Sequence, residues 1–195
     1  EMEFTRIKNQ VMIKYGTRDL VDSKKNGNAK IDDSSASLYQ KKIIERKPIN
    51  RDSYSLVIEN KDLEDWLEMV SKKGIVAVDC ETNSLSATQA EIVGFSMSVE
   101  DSKACYIPLK HQSTNNKEIK QIELNDFIDR VKPMMEDPSI LKIGQNIKYD
   151  LIILDKLGIS CKNFDDTMLM SYVLNTGKNG HGLDELSQIY FDHEN

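Results

Sequence analysis

Two hydrophobic periods alternate along the chain, one typical of helices and the other typical of strands. In KDLEDWLEMVSKKG (61–74) the apolar residues recur at positions i, i+3, i+4 and i+7, which is the spacing of one helix face. Apolar spacing and glycine end signals predict further helices at 124–135, 149–158, 166–177 and 182–191. Pro133 lies inside the second helix and is expected to bend or end it.

Runs rich in β-branched and apolar residues, separated by polar turns, predict the strands. They lie at 54–59, 74–82, 91–100, 103–111 and 141–147. The second, third and fourth follow one another with only short polar turns between them, so we expect an antiparallel meander. The order β-α-βββ-α-β-α-α-α predicts an α/β fold in which helices flank a mixed sheet.

Composition excludes several classes of protein. The 195 residues are 39% hydrophobic and 30% charged, as in an ordinary soluble domain. No apolar run approaches the ~18 residues of a membrane span, and the N-terminus lacks a signal-peptide pattern, so we expect a cytoplasmic protein. Cys80, Cys105 and Cys161 form no CxxC pair, which argues against a disulfide framework or a thiolate zinc site.

Charge divides the chain near residue 53. Residues 1–53 hold 12 basic and 8 acidic side chains, whereas residues 54–195 hold 14 basic and 24 acidic ones. Because residues 16–40 are polar with few large apolar side chains, they predict a flexible linker, and the folded domain is expected to span 54–195. A domain this acidic is expected to bind phosphate backbones poorly unless divalent cations lie between its carboxylates and the nucleic acid.

The first candidate site is the acidic pair Asp79 and Glu81, at the end of the most apolar strand. Residues i and i+2 of a strand share a face, so the two carboxylates point the same way. Carboxylates this close repel unless a cation joins them, and oxygen ligands suit magnesium or manganese. Spacing alone leaves two interpretations open, a metal site and a pair of solvated acids.

The second candidate site is GQNIKYD (144–150), where another apolar strand ends. Asp150 falls in the first turn of the next helix, where an acid also stabilises the helix dipole. If strand 141–147 lies parallel to strand 74–82, both end at the same edge of the sheet and Asp150 approaches the acidic pair. The sequence DDT (165–167) is interpreted as a helix N-cap, with a supporting role near the site as the alternative.

Several sequence blocks, taken in order, resemble a known family. They are VAVDCETNSL (76–85), EIVGFSMSV (91–99), CYIPLKH (105–111), KIGQNIKYD (142–150) and DDTMLMSYVLN (165–175). Together they resemble the 3′→5′ exonuclease (proofreading) domain of bacterial DNA polymerase I, a family A polymerase, from about Tyr54 to Asn195. MEFTRIKN near the start is similar to the end of the 5′-nuclease region of such polymerases, so residues 1–53 would be its tail and an inter-domain linker.

The resemblance implies a ribonuclease H-like fold of the DEDD exonuclease superfamily and a metal-dependent reaction. Asp79, Glu81 and Asp150 match the acids that hold two divalent ions, Mg²⁺ or Mn²⁺. Such ions would activate a water molecule and stabilise the leaving 3′ oxygen.

The resemblance also implies a substrate and partners. Leu85 matches the apolar residue that wedges against the terminal bases. The positions that line the terminal nucleotide match Thr82, Gln145, Asn146 and Tyr149. The expected substrate is a single-stranded or mismatched DNA 3′ end, because the terminal nucleotides must be unpaired to enter a narrow cleft. The expected partners are the polymerase and 5′-nuclease domains of the same parent chain, in a bacterial cytoplasm and at the nucleoid through DNA.

The sequence departs from the family at its third motif, YxxxD. That motif should follow GLDELSQIYF by a few tens of residues, but the sequence ends at Asn195. Tyr190 and Glu194 have the same spacing but belong to the earlier block, so they are not taken as a substitute. We therefore expect a domain that is incomplete at its C-terminus and that alone turns over little DNA.

Two other functions stay open. One is a catalytically inactive spacer that guides DNA, and the retention of all three acids argues against it. The other is a ribonuclease D-type exonuclease acting on RNA, and the blocks EIVGFSMSV and CYIPLKH argue for the polymerase branch instead.

Overall fold

The structure, a computed structural model, describes residues 51–112 and 119–193. The predicted linker at 16–40, and with it most of the predicted tail, lies outside the described residues. A short 3-10 helix, Arg51–Ser53, precedes the first strand. Within the described ranges, every helix is too short or too polar to cross a membrane.

Six strands form one mixed sheet in the order β1-β4-β3-β2-β5-β6. They are β1 (Ser55–Leu56), β2 (Ile75–Thr82), β3 (Ile92–Glu100), β4 (Lys103–Pro108), β5 (Leu141–Gly144) and β6 (Phe164–Asp166). β2, β3 and β4 pair in antiparallel fashion, as the predicted meander requires. β1 joins β4, β5 joins β2 and β6 joins β5, all in parallel, so the predicted mixed sheet is confirmed.

Five α-helices lie among the described residues, and each begins and ends within two residues of its predicted bounds. They are α1 (Asn60–Lys73), α2 (Leu124–Glu136), α3 (Lys148–Lys156), α4 (Thr167–Asn175) and α5 (Leu183–Phe191). α2 runs three residues past Pro133 and therefore does not end there. Met134 and Met135, which follow the proline, are buried, and their packing holds the last turn in place.

Three predicted strands are shorter in the structure by three residues or more, and one strand was not predicted. β4 ends at Pro108, and β5 ends at Gly144, where the chain turns. β1 keeps only two residues of the predicted 54–59. β6 was not predicted, because a segment of three residues is too short to show a hydrophobic period. These residues form a strand only through their parallel pairing with β5.

The hydrophobic core lies on one face of the sheet, where α1 packs on α2 and on β2 and β3. Along β2, Val76, Val78 and Cys80 are buried, whereas the alternate residues are exposed or nearly so. Phe95 of β3 and Phe127 of α2 are fully buried and meet edge to face, with ring centroids 5.3 Å apart. The alternation leaves Asp79 and Glu81 on the open face of the sheet.

A sharp turn between β5 and α3 requires glycine at position 144. A Cβ there would lie 2.7 Å from Cγ1 of Ile147, whose side chain is 2% exposed. Asn146 adopts the left-handed conformation (φ 59), which asparagine tolerates better than most residues. The turn therefore brings Asp150 into the first turn of α3 directly after β5 ends.

Gly144→Ala is expected to lower the free energy of unfolding by about 1–3 kcal/mol, because the new methyl group overlaps the stiff, buried Ile147 side chain. Gly182→Ala is the control: position 182 has φ −69 and no heavy atom within 4 Å of an added Cβ, so its loss should stay below about 1 kcal/mol. Urea unfolding of both variants measures the difference. Equal losses would contradict the close contact.

Candidate functional site

The acidic pair predicted from the sequence lies at the C-terminal end of β2, on the open face of the sheet. Asp79 is opposite Ser96 of β3, and Glu81 is opposite Gly94. On its other side β2 pairs in parallel with β5, from Ile75 to Ala77. The parallel pairing on which the approach of Asp150 depends is thus present, and the two strands end at the same edge of the sheet.

Asp150 meets the acidic pair at this edge. Its side chain is 3% exposed, and its Oδ1 accepts a hydrogen bond from the Cys80 N–H at 2.8 Å. Cys80 stands between Asp79 and Glu81 in the chain, so one backbone amide ties Asp150 to both. The structure brings together the three acids that the sequence predicted to converge.

Burial and the nearby negative charges raise the pKa values of groups at this edge. Partial desolvation, followed by the negative charges of Asp150 and Glu81, raises the pKa of Asp79 from 3.8 to about 6. Burial raises the pKa of Asp150 as well, and the Cys80 N–H opposes that rise. Burial beside Asp150 raises the pKa of the Cys80 thiol above its usual value, so this thiol is a poor nucleophile.

The same side chains are the candidate ligands of a metal ion. In the part of the chain that the structure describes, no group of three or more His, Cys, Asp or Glu side chains is arranged to hold a metal ion. The donor chemistry nevertheless fits a hard cation, because the donors are carboxylate oxygens whose mutual repulsion a cation would relieve. Asp79 and Glu81 lie at exposed positions of β2.

The predicted substrate-binding residues Thr82 and Tyr149 contact each other beside the acids. The Tyr149 hydroxyl lies 2.6 Å from Oγ1 of Thr82 and donates a hydrogen bond to the Ser84 carbonyl. The next residue, Leu85, is 100% exposed. These residues therefore fix the chain that leaves β2, and Leu85 projects from it into solvent.

The other two predicted substrate-binding residues lie in the turn after β5. Gln145 donates from Nε2 to the His181 carbonyl at 2.8 Å and accepts from the Thr167 hydroxyl. Asn146 uses its backbone N–H to bind Oδ1 of Asp166 at 3.0 Å. Both residues thus tie the turn to α4 and to the segment before α5.

Asp166 caps α4, as predicted, and also holds the turn that precedes Asp150. Its carboxylate accepts from the N–H groups of Met168 at 2.9 Å and Leu169 at 3.3 Å, which is an N-cap arrangement. It also accepts from the N–H groups of Asn146 and Ile147, at 3.0 Å each. One carboxylate, 7% exposed, therefore orders two segments.

Sequence reasoning missed Tyr106, which lies on the same face of the sheet as the acids. Its hydroxyl binds Nε2 of His111 at 2.7 Å, and a Cβ on Gly94 would lie only 1.9 Å from that hydroxyl. Burial and, secondarily, the charge of Glu81 raise the pKa of Tyr106. A glycine inside a strand was the available signal, because it marks the close approach of another group.

Comparison with known proteins identifies the family. The family model described as 3′-5′ exonuclease matches residues 54–194. The chain belongs to this family. It is 38% identical over 161 residues to DNA polymerase I of Rhizobium leguminosarum, covering 75% of this chain and 16% of that protein. Against DNA polymerase I of Pseudomonas aeruginosa it is 35% identical over 143 residues, covering 72% of this chain and 15% of that protein.

Solved structures agree on the fold of this exonuclease-family domain. The POL domain of Pol1 from M. smegmatis, in complex with a DNA primer-template and dNTP, matches with a TM-score of 0.58 and 20% identity over 72% of this chain and 23% of that one. Escherichia coli RNase D, an exoribonuclease involved in structured RNA processing, matches with a TM-score of 0.57 and 15% identity over 73% and 34%. The expected ribonuclease H-like fold is confirmed.

Asp166→Asn is expected to lower the free energy of unfolding by about 2–3 kcal/mol, because an amide replaces one of the two carboxylate oxygens that four N–H groups share. Asp165→Asn makes the same change on the neighbouring, half-exposed residue and should cost less than about 0.5 kcal/mol. Thermal or urea unfolding compares the two, and an equal effect would refute the pinning role of Asp166.

Asp79 is expected to make stability depend on pH in the absence of metal. Between pH 3.8 and about 6 the folded chain keeps a proton on Asp79 that the unfolded chain has released, so this residue lowers stability as the pH rises through that window. Asp79→Asn should remove this contribution. Urea unfolding of both proteins from pH 4 to pH 7 measures it, and identical pH profiles would contradict the raised pKa.

Proposed function

We propose that this domain hydrolyses the terminal phosphodiester of single-stranded or mismatched DNA 3′ ends, in the 3′→5′ direction, as the proofreading nuclease of a DNA polymerase I. The observation that carries the proposal is the convergence of Asp79, Glu81 and Asp150 at one edge of the sheet in a chain of this family. Catalytic carboxylates commonly have such perturbed pKa values.

The proposed reaction depends on divalent cations that Asp79, Glu81 and Asp150 would hold. Two such ions, Mg²⁺ or Mn²⁺, would supply Lewis-acid stabilisation of the attacking and leaving oxygens. The protein contributes the positions of the carboxylates: Asp150 is fixed by the Cys80 N–H, while Asp79 exchanges a proton near pH 6. Protons and cations therefore compete for Asp79, and metal affinity is expected to rise with pH.

The net negative charge of the domain supports the proposal that cations mediate its contact with DNA. With 24 acidic and 14 basic side chains in residues 54–195, the domain repels a phosphate backbone unless cations intervene. Leu85, fully exposed beside the acids, is the group proposed to wedge against the terminal bases. Thr82, Tyr149 and the turn that contains Gln145 and Asn146 are proposed to line the terminal nucleotide.

DNA is the proposed substrate because the curated relatives quoted above are DNA polymerases at 35% and 38% identity. The chain spans only 15–16% of the length of those relatives, so their remaining activities belong to other parts of those proteins. We infer that polymerase and 5′-nuclease domains are its partners in a longer parent chain.

Asp79→Asn is expected to slow hydrolysis of 3′-labelled single-stranded DNA by more than about 100-fold. Loss of a residue that only supports a metal ligand costs up to about 100-fold, and loss of a ligand itself should cost more. The measurement is the release of labelled nucleotide in Mg²⁺, with and without a chelator, by the parent protein. Chelation should abolish the wild-type activity.

Asp62→Asn is the matched control for that measurement. Asp62 and Glu64 repeat the spacing of the catalytic pair, but they lie on exposed positions of α1, so hydrolysis should keep the wild-type rate. An RNA strand of the same sequence distinguishes the ribonuclease D-type alternative, for which RNA would be the faster substrate. Equal rates for wild type and Asp79→Asn would end the proposal.

A further inference from the structure

The 83–90 loop, which connects β2 to β3, is ordered around a leucine that buries nothing. Leu85 is 100% exposed. The loop is nevertheless closed at its base, where the Asn83 N–H donates to the Glu91 carbonyl at 3.2 Å and the Asn83 Oδ1 accepts from the Glu91 N–H at 2.9 Å. Since Leu85 gains no burial, polar contacts must offset the entropy lost in ordering the loop around it.

Tyr149, in the first turn of α3, anchors the side of the loop next to β2. Its hydroxyl donates to the Ser84 carbonyl, in the residue immediately before Leu85. The hydroxyl of Thr82 reinforces the same point, because it also donates to the Ser84 carbonyl, at 3.1 Å. The peptide that carries Leu85 is thus held from α3.

Lys156, the last residue of α3, anchors the opposite side of the loop. Its ammonium donates to three carbonyls, those of Ala87 at 3.5 Å, Thr88 at 3.3 Å, and Ala90. Ala90 is fully buried, so this end of the loop rests on the core. Three convergent carbonyl dipoles favour a cation, and an apolar side chain of equal length would leave them without this donor.

One helix therefore carries both anchors of the loop and the acid Asp150. Tyr149 and Lys156 are seven residues apart, which places them on one face of α3 about 10 Å from each other along its axis. Asp150 adjoins Tyr149 in the first turn. The helix α3 thus holds Asp150 and both anchors of the loop.

We propose that Lys156 is a positioning residue that fixes Leu85 relative to the acids and so sets the preference for unpaired over paired 3′ ends. This inference rests on the proposed function. When the loop is held rigidly, Leu85 can enter only between bases that are already separated. A loosened loop lets paired and unpaired ends approach the acids more equally, while short single strands need no wedge.

The test is Lys156→Met, which keeps the length of the side chain and removes the ammonium. Nitrogen-15 relaxation of the Leu85 amide reports the order of the loop, and its order parameter should fall from about 0.85 to below about 0.6. The ratio of hydrolysis rates for mismatched and fully paired 3′ ends should fall severalfold. Hydrolysis of a single-stranded tetranucleotide should keep the wild-type rate, which a general defect of the fold would not allow.

Two control variants separate the anchor from the loss of a charge. Lys156→Arg keeps a cation that can reach the carbonyls and should restore both the order of Leu85 and the preference. Lys162→Met removes the same charge from an exposed lysine outside the loop and should change neither.

Three results would count against the inference. An unchanged Leu85 order parameter in Lys156→Met would overturn the anchoring role, whether or not the protein hydrolyses DNA. A loosened loop with an unchanged preference would overturn the positioning role. A wild-type parent protein that hydrolyses neither end would instead overturn the proposed function, and the relaxation data would still decide whether Lys156 holds the loop.

Discussion

The hydrogen bond between the Cys80 amide and the Asp150 carboxylate joins the two halves of the candidate site. The pairing of β2 with β5 stops at Ala77, because β5 ends at Gly144 and turns into α3. The backbone amide of Cys80, farther along β2, is satisfied by Asp150 instead of by a neighbouring strand. If β5 were longer, it would pair with this part of β2, and Asp150 would no longer lie beside the Cys80 amide.

This arrangement concentrates negative charges on the face of the sheet opposite the hydrophobic core. The core is built on the opposite face of the sheet, from residues such as Phe95 and Phe127, and carries the stability of the domain. On the open face, partial burial and, after it, the negative charges of Asp150 and Glu81 raise the pKa of Asp79. Such a raised pKa is characteristic of sites that bind a cation or a charged transition state.

Sequence patterns predicted the fold well where a period extended over many residues. The spacing in 61–74 located α1, and the alternation in β2 placed Asp79 and Glu81 on one face. The turn at Gly144 was harder to predict, because its geometry depends on the close packing of Ile147 and not on a local propensity. β6 depends entirely on its pairing with β5, so no pattern within its three residues could reveal it.

The candidate site was predictable for its acids and less so for its surroundings. Asp79, Glu81 and Asp150 follow from strand ends that meet at one edge. The contact of Tyr106 with His111, and the three carbonyls bound by Lys156, join residues whose contacts depend on how loops fold back on the sheet. No spacing of residues in the sequence predicts either arrangement, because each depends on tertiary packing.

Crystals of the protein soaked in Mn²⁺ give the most direct test of whether the three acids form a cation site. Mn²⁺ scatters anomalously and takes the same oxygen ligands as Mg²⁺. The account predicts anomalous density between the carboxylates of Asp79, Glu81 and Asp150, and loss of that density in Asp150→Asn. Density that is absent from this edge of the sheet, or that survives Asp150→Asn unchanged, would contradict the claim that the acids act together.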